Sequence, residues 1–180
     1  MTTLEEKIAA LTDQQALSIV DSLAGELATD ETPEGKEEQV QALQTILSRE
    51  GQAVDVERVA EADPAAAAAS ARQLLTLMAQ VPEIKPSLEE WLEHPPTQEA
   101  AAIPLLLAAP VVLTGCISLL YVVGHISFKR DSDGNSTVEY DPAQTTPLDA
   151  TMKEIVTTLA GLMRSMIPGS PGQASLPGKT

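Results

Sequence analysis

The stretch Ile103–Val123 reads IPLLLAAPVVLTGCISLLYVV, and its placement decides how the rest of the chain is arranged. From Ala100 to Phe128 no residue carries a fixed charge, and only Cys116, Tyr121 and His125 can titrate. At about 1.5 Å per residue, a helix over this run reaches across the ~30 Å hydrocarbon core of a bilayer. A continuous apolar run is equally the mark of an element buried on every side in a protein core. Both readings rest on Ile103, Leu107, Val112, Leu113, Ile117, Leu120 and Val123, which either insert in or dock at a membrane, or fill the protein's own interior.

The flanks sharpen the choice. Lys129 and Arg130 follow the run, and Glu90, Glu93 and Glu99 precede it. The positive-inside rule then keeps the C-terminal side in the cytoplasm and exports the acidic N-terminal half. Yet MTTLEEKIAAL places acids where a signal peptide needs a basic region. The expected location is therefore cytoplasmic, with inner-membrane association only if insertion follows a trigger. Pro110 also divides the run, so that a short helix could be followed by a buried strand over Val111–Leu113 and Ile117–Val123.

Working outward toward the N-terminus, residues 1–95 read as an acidic, adaptor-like helical bundle. Thr3 with Glu6 and Thr12 with Gln15 have capping-box spacing, which predicts helices over about Leu4–Leu11 and Asp13–Ala28. Ala16, Leu17, Val20, Leu23, Ala24 and Leu27 recur at the interval of a core-facing stripe. Thr29–Gly35 is a polar break, with Thr32 as a cap and Pro33 opening a helix that carries Val40, Leu43, Ile46 and Leu47. Gly51 is a stop signal. A short helix over Val54–Glu61 and the cap-plus-proline start Asp63-Pro64 follow. Pro82 and Pro86 are expected to end that last helix, and Ser87 with Glu90 to cap the next through Trp91.

Toward the C-terminus, residues 99–167 combine the apolar segment, a hairpin and a final helix. β-rich runs flank Asp131–Ser136, whose Asp-Gly is a strong turn signal. Ile126 and Phe128 against Val138 and Tyr140 give the hairpin one apolar face. Thr146 caps and Pro147 starts a helix with Leu148, Met152, Ile155, Leu159, Leu162 and Met166 in a heptad-like seam. That seam suits the protein's own core or self-association into a homo-oligomer. Residues 168–180 are rich in Gly, Pro and Ser, the composition of a disordered tail. The fold class is mainly α: an N-terminal helical bundle, a long apolar helix or buried segment, a short β-hairpin and a C-terminal amphipathic helix.

Charge and residue types narrow the function. The formal charge is −15, with −14 of it in residues 1–100. Such a surface repels phosphate backbones, which argues against nucleic acid as a partner. Aromatic residues are only 2% of the chain, so the core must be aliphatic. One cysteine excludes an internal disulfide, and two histidines with one thiol give no zinc spacing. Cys116 and His125 are nine residues apart in apolar sequence, a poor setting for a nucleophile and its base. The run from Asp131 opens like a calcium loop, but its twelfth position is Pro142 rather than a bidentate Glu. No phosphate loop or dinucleotide fingerprint is present. The expectation is a non-enzymatic protein without cofactor or metal.

Apolar segment, the hairpin ISFKRDSDGNSTVEY and terminal helix together resemble the small effector-associated accessory domains of bacterial conflict (defence) systems. The N-terminal bundle is similar in size to the death-like adaptor domains found there. The resemblance covers the chain as a layout. It implies a protein partner of the protease or NTPase-type signalling class. The expected function is a small membrane-associated effector or adaptor, or else an interaction component whose apolar segment is core.

Overall fold

The structure is a computed structural model, which describes residues 2–28, 33, 35–97, 103–124, 126–133, 136–140 and 148–167. Caps expected at Thr32 and Thr146 and the tail 168–180 lie outside these residues. The fold is mainly α. In chain order the helices are α1 (Leu4–Ala9), α2 (Asp13–Leu27), α3 (Lys36–Arg49), α4 (Val56–Ala60), α5 (Pro64–Met78) and α6 (Lys85–Glu93). A single 3-10 turn, Leu105–Leu107, leads into α7 (Ala108–Gly124). Strands β1 (Ile126–Arg130) and β2 (Ser136–Tyr140) follow, and α8 (Leu148–Met166) comes last.

Local chemistry explains most boundaries. Both N-terminal capping boxes form: Thr3 Oγ1 accepts the Glu6 amide and Thr12 Oγ1 accepts the Gln15 amide, each at 3.2 Å, while the Glu6 and Gln15 side chains reach back. Gly51 adopts φ +72°, the left-handed geometry that favours glycine. The Gln52 amide donates to the Leu47 carbonyl at 2.8 Å and the Gly51 amide to Ser48 at 3.1 Å, which closes α3 in a Schellman motif. Asp63 caps α5 by accepting the Ala65 and Ala66 amides, with Pro64 at the first helical position.

Other starts differ from the sequence reading. The third helix begins at Lys36 with Gly35 as its cap, three residues after Pro33. Ser87 and Glu90 form no capping box, because α6 has already begun at Lys85 and Pro86 sits in its first turn. A proline there removes an amide that has no intrahelical partner. The same reasoning disposes of a strand after Pro110. That proline is the third residue of α7, so the helix runs unbroken through Val111–Val123.

In the layout, α7 occupies the centre. It lies along α2 and α5, with α3, α4 and α8 completing the surround. A helix that is apolar all round belongs in such a position. One continuous core joins Ile8 near the N-terminus to Ile167 near the C-terminus. That core draws on both 1–95 and 99–167, because α7 packs against α2 and α5. At 17 residues α7 is about 26 Å long. No described helix is long and apolar enough to cross a membrane.

β1 and β2 pair antiparallel, with Ile126 opposite Tyr140 and Phe128 opposite Val138. The Asp133 amide donates to Asp131 Oδ1 at 3.0 Å, an Asx turn at the start of the connection. The ladder passes close to α3 and to the end of α7.

Among the described glycines, Gly115 on α7 is the most tightly enclosed. A Cβ there would stand 2.6 Å from Val20 Cγ1 of α2 and 2.8 Å from Leu74 Cδ2 of α5. Val20 and Leu74 are fully buried, and valine is stiff about χ1, so neither moves aside freely. Gly161 on α8 has nothing within 4 Å of the same position. Gly115→Ala should lower stability in urea unfolding by about 1–3 kcal/mol through overpacking. Gly161→Ala should raise it by up to about 1 kcal/mol through helix propensity alone.

Candidate functional site

The seven residues singled out in the apolar run divide by position. Val112, Leu113, Ile117, Leu120 and Val123 are buried along α7. Ile103 is half-buried against the core, with its amide donating to Gln14 Oε1 at 3.0 Å. Leu107 is on the outside, 49% exposed, beside Leu106 at 90%. The bundle thus encloses the helix and leaves an apolar tip at its N-terminal end.

Polar side chains on α7 are satisfied close to home. The Thr114 hydroxyl has one proton to share between the Pro110 carbonyl at 2.9 Å and Gln39 Oε1 of α3 at 3.3 Å. Ser118, 1% exposed, donates to the Thr114 carbonyl at 3.0 Å. Back-bonding to the preceding turn lets a hydroxyl sit in an apolar setting without a stranded donor. Cys116 is fully buried, and desolvation pushes its thiol up to about 12. A protonated, enclosed thiol is neither nucleophile nor metal ligand. His125, the other half of the pair weighed in the sequence, lies outside the described residues. Among the described residues no group of three or more His, Cys, Asp or Glu could hold a metal ion.

The heptad-like seam on α8 faces inward. Ile155, Leu159, Leu162 and Met166 are all buried in the chain's own core. Leu148 and Met152 belong to the same helix, but their side chains lie outside the described residues. Arg164 locks the far end of α8: its guanidinium donates to the Ala53 carbonyl at 3.2 Å and to Gln52 Oε1 at 2.9 Å. Arg72 of α5 does the equivalent work at the α1–α2 junction, donating to the Leu11 carbonyl at 2.9 and 3.2 Å and pairing with Asp13.

Two of the grooves on the described surface combine apolar and acidic lining. One of about 930 Å³ runs beside α3 and α4, lined by Lys36, Glu37, Val40, Asp55, Glu57 and Glu61 among others. The second, about 410 Å³, lies where α5, α7 and α8 meet. Its lining includes Leu77, Val81, Val122, Val123 and Ile155, with Glu83 and Glu154 at the rim. The second groove was not visible in the sequence, because it joins residues distant along the chain. The close contact at Gly115 was missed in the sequence, although an isolated glycine inside a helical run is a signal for one.

No family model, curated protein or solved structure matches this chain.

The enclosure of Cys116 has a measurable consequence. In the native protein at pH 8, a disulfide-exchange reagent should label this thiol at least about a hundred-fold more slowly than in denaturant, since only opening of the core exposes it. Rapid stoichiometric labelling of the native chain would contradict the burial.

Proposed function

We propose that this chain is a non-enzymatic protein-interaction or accessory component, whose apolar segment serves as its own core. The observation carrying this reading is the burial of α7: Val112, Leu113, Ile117 and Leu120 are each at most 1% exposed, enclosed by the surrounding helices. Side chains committed to the interior support a scaffold for surfaces rather than a membrane anchor. The protonated Cys116 withholds the one thiol from chemistry. Acting in the cytoplasm on a protease or NTPase-type signalling protein is the partnership that the layout resemblance adds to this proposal.

A second reading, conditional membrane insertion, is favoured by one specific feature. Leu106 and Leu107 are exposed immediately before a helix that carries no charge. If the outer helices swung aside, an apolar tip would lead α7 into a bilayer.

The two readings separate experimentally. Leu113, 1% exposed, should not tolerate a carboxylate. Leu113→Asp places an unpaired charge in the core and should abolish the cooperative thermal transition. An unchanged melting temperature would overturn the core reading. The wild-type chain should stay with the soluble fraction when floated with anionic or neutral vesicles, at neutral and mildly acidic pH. Co-flotation would transfer support to the insertion reading.

A further inference from the structure

The groove between α5, α7 and α8 has two properties that together select an occupant. Its floor is aliphatic, formed by Leu77, Val81, Val122, Val123 and Ile155. Val122 is half-buried there, and the others are buried except toward the groove. Its volume, about 410 Å³, is at the small end of the range for binding pockets. That admits one or two apolar side chains and is too small for a whole helix.

The second property is electrostatic. α5 ends at Met78 and α7 at Gly124, so both helices bring their C-terminal ends to this groove. Helix C-termini carry partial negative charge, and cations are stabilising there. Neither helix has a basic residue in its last turn. Glu83, in the turn after α5, and Glu154, on α8, add full charges at the rim. Both are exposed, and neither carboxylate has a hydrogen-bond or ion-pair partner among the described residues. Lys153, next to Glu154, does not line the groove.

We propose that this groove seats a cationic amphipathic segment of a partner protein. One apolar side chain of that segment enters the slot. Lys or Arg residues on either side of it reach Glu83 and Glu154 and the helix ends behind them. This deepens the interaction reading above and rests on it. A second copy of the chain is a poor occupant, because it brings a formal charge of −15 against an acidic rim.

The test uses the full chain and a fluorescein-labelled peptide of Leu and Lys at helical spacing, followed by anisotropy. Two double variants remove the same charge from different places: Glu83→Gln with Glu154→Gln at this groove, and Glu57→Gln with Glu61→Gln beside α4. The first pair should weaken binding about five-fold, and the second by less than about two-fold. Replacing the peptide's Leu residues with Ser should abolish binding. Equal weakening by both pairs would mean that the overall charge attracts the peptide; it would overturn the groove assignment while leaving the interaction reading intact. Failure of the wild-type chain to bind the peptide would also overturn it. So would a dimer, seen by light scattering, that the first pair alone dissolves, since the occupant would then be a second copy.

Discussion

Everything in this bundle depends on a close three-way contact in its centre. Gly115 of α7 presents bare backbone to Val20 of α2 and Leu74 of α5, and no side chain fits between them. The approach lets three helices share one axis of packing. Large residues above and below it, such as Leu113 and Leu120, are then enclosed on all sides. Full burial of one such aliphatic side chain contributes about 1.5–3 kcal/mol. A helix that buries nearly every face concentrates more of that contribution per turn than an amphipathic helix can. Around it, α2, α3 and α8 need only one apolar face each, which leaves their outer faces free for charged residues such as Asp21, Glu37 and Glu154.

This division of labour explains how much was legible in the sequence. Helices with one apolar stripe and a chemical cap could be read locally: Thr3, Thr12 and Asp63 placed their starts within a residue, and Gly51 its stop. Where local signals admitted two outcomes, tertiary position decided. Ser87 and Glu90 had capping-box spacing, but buried Ile84 draws the chain into the helix earlier. Pro110 looked like a divider because only its distance from the start of the helix makes it harmless, and that start is set by the 3-10 turn before it. The apolar run was legible as a central feature, yet composition is the same for a span and for a core. Only its neighbours distinguish them, and Val20 and Leu74 are far away along the chain.

The polar contacts that cross the bundle are few and specific. Arg72 clasps the Leu11 carbonyl, Arg164 the Ala53 carbonyl, Gln14 the Ile103 amide, and Trp91 Nε1 donates to Glu26 at 2.9 Å. Each of these ties a segment end or connection to a helix, whereas Thr114 of α7 reaches Gln39 of α3 directly. Apolar packing sets the interior, and these contacts fix where the connections run across it. None was apparent from spacing, since a lone arginine on a helix reads first as a solvated charge.

The central place of α7 also bears on how the protein comes into being. Four of the helices around it, α2 to α5, are complete by residue 97, whereas α7 itself ends only at Gly124 and α8 follows it. At about 5–20 residues per second, synthesis of the intervening stretch takes roughly one to five seconds. During that interval the cleft between α2 and α5 has no occupant, and the side chains of Val20 and Leu74 face water or each other. The nascent N-terminal half is an unfinished ring waiting for its axle. Contacts this remote in sequence slow folding and leave apolar surface open to the wrong neighbour. The acidity of residues 1–97 then acquires a second use: like charge keeps two such unfinished rings apart until each has closed around its own helix.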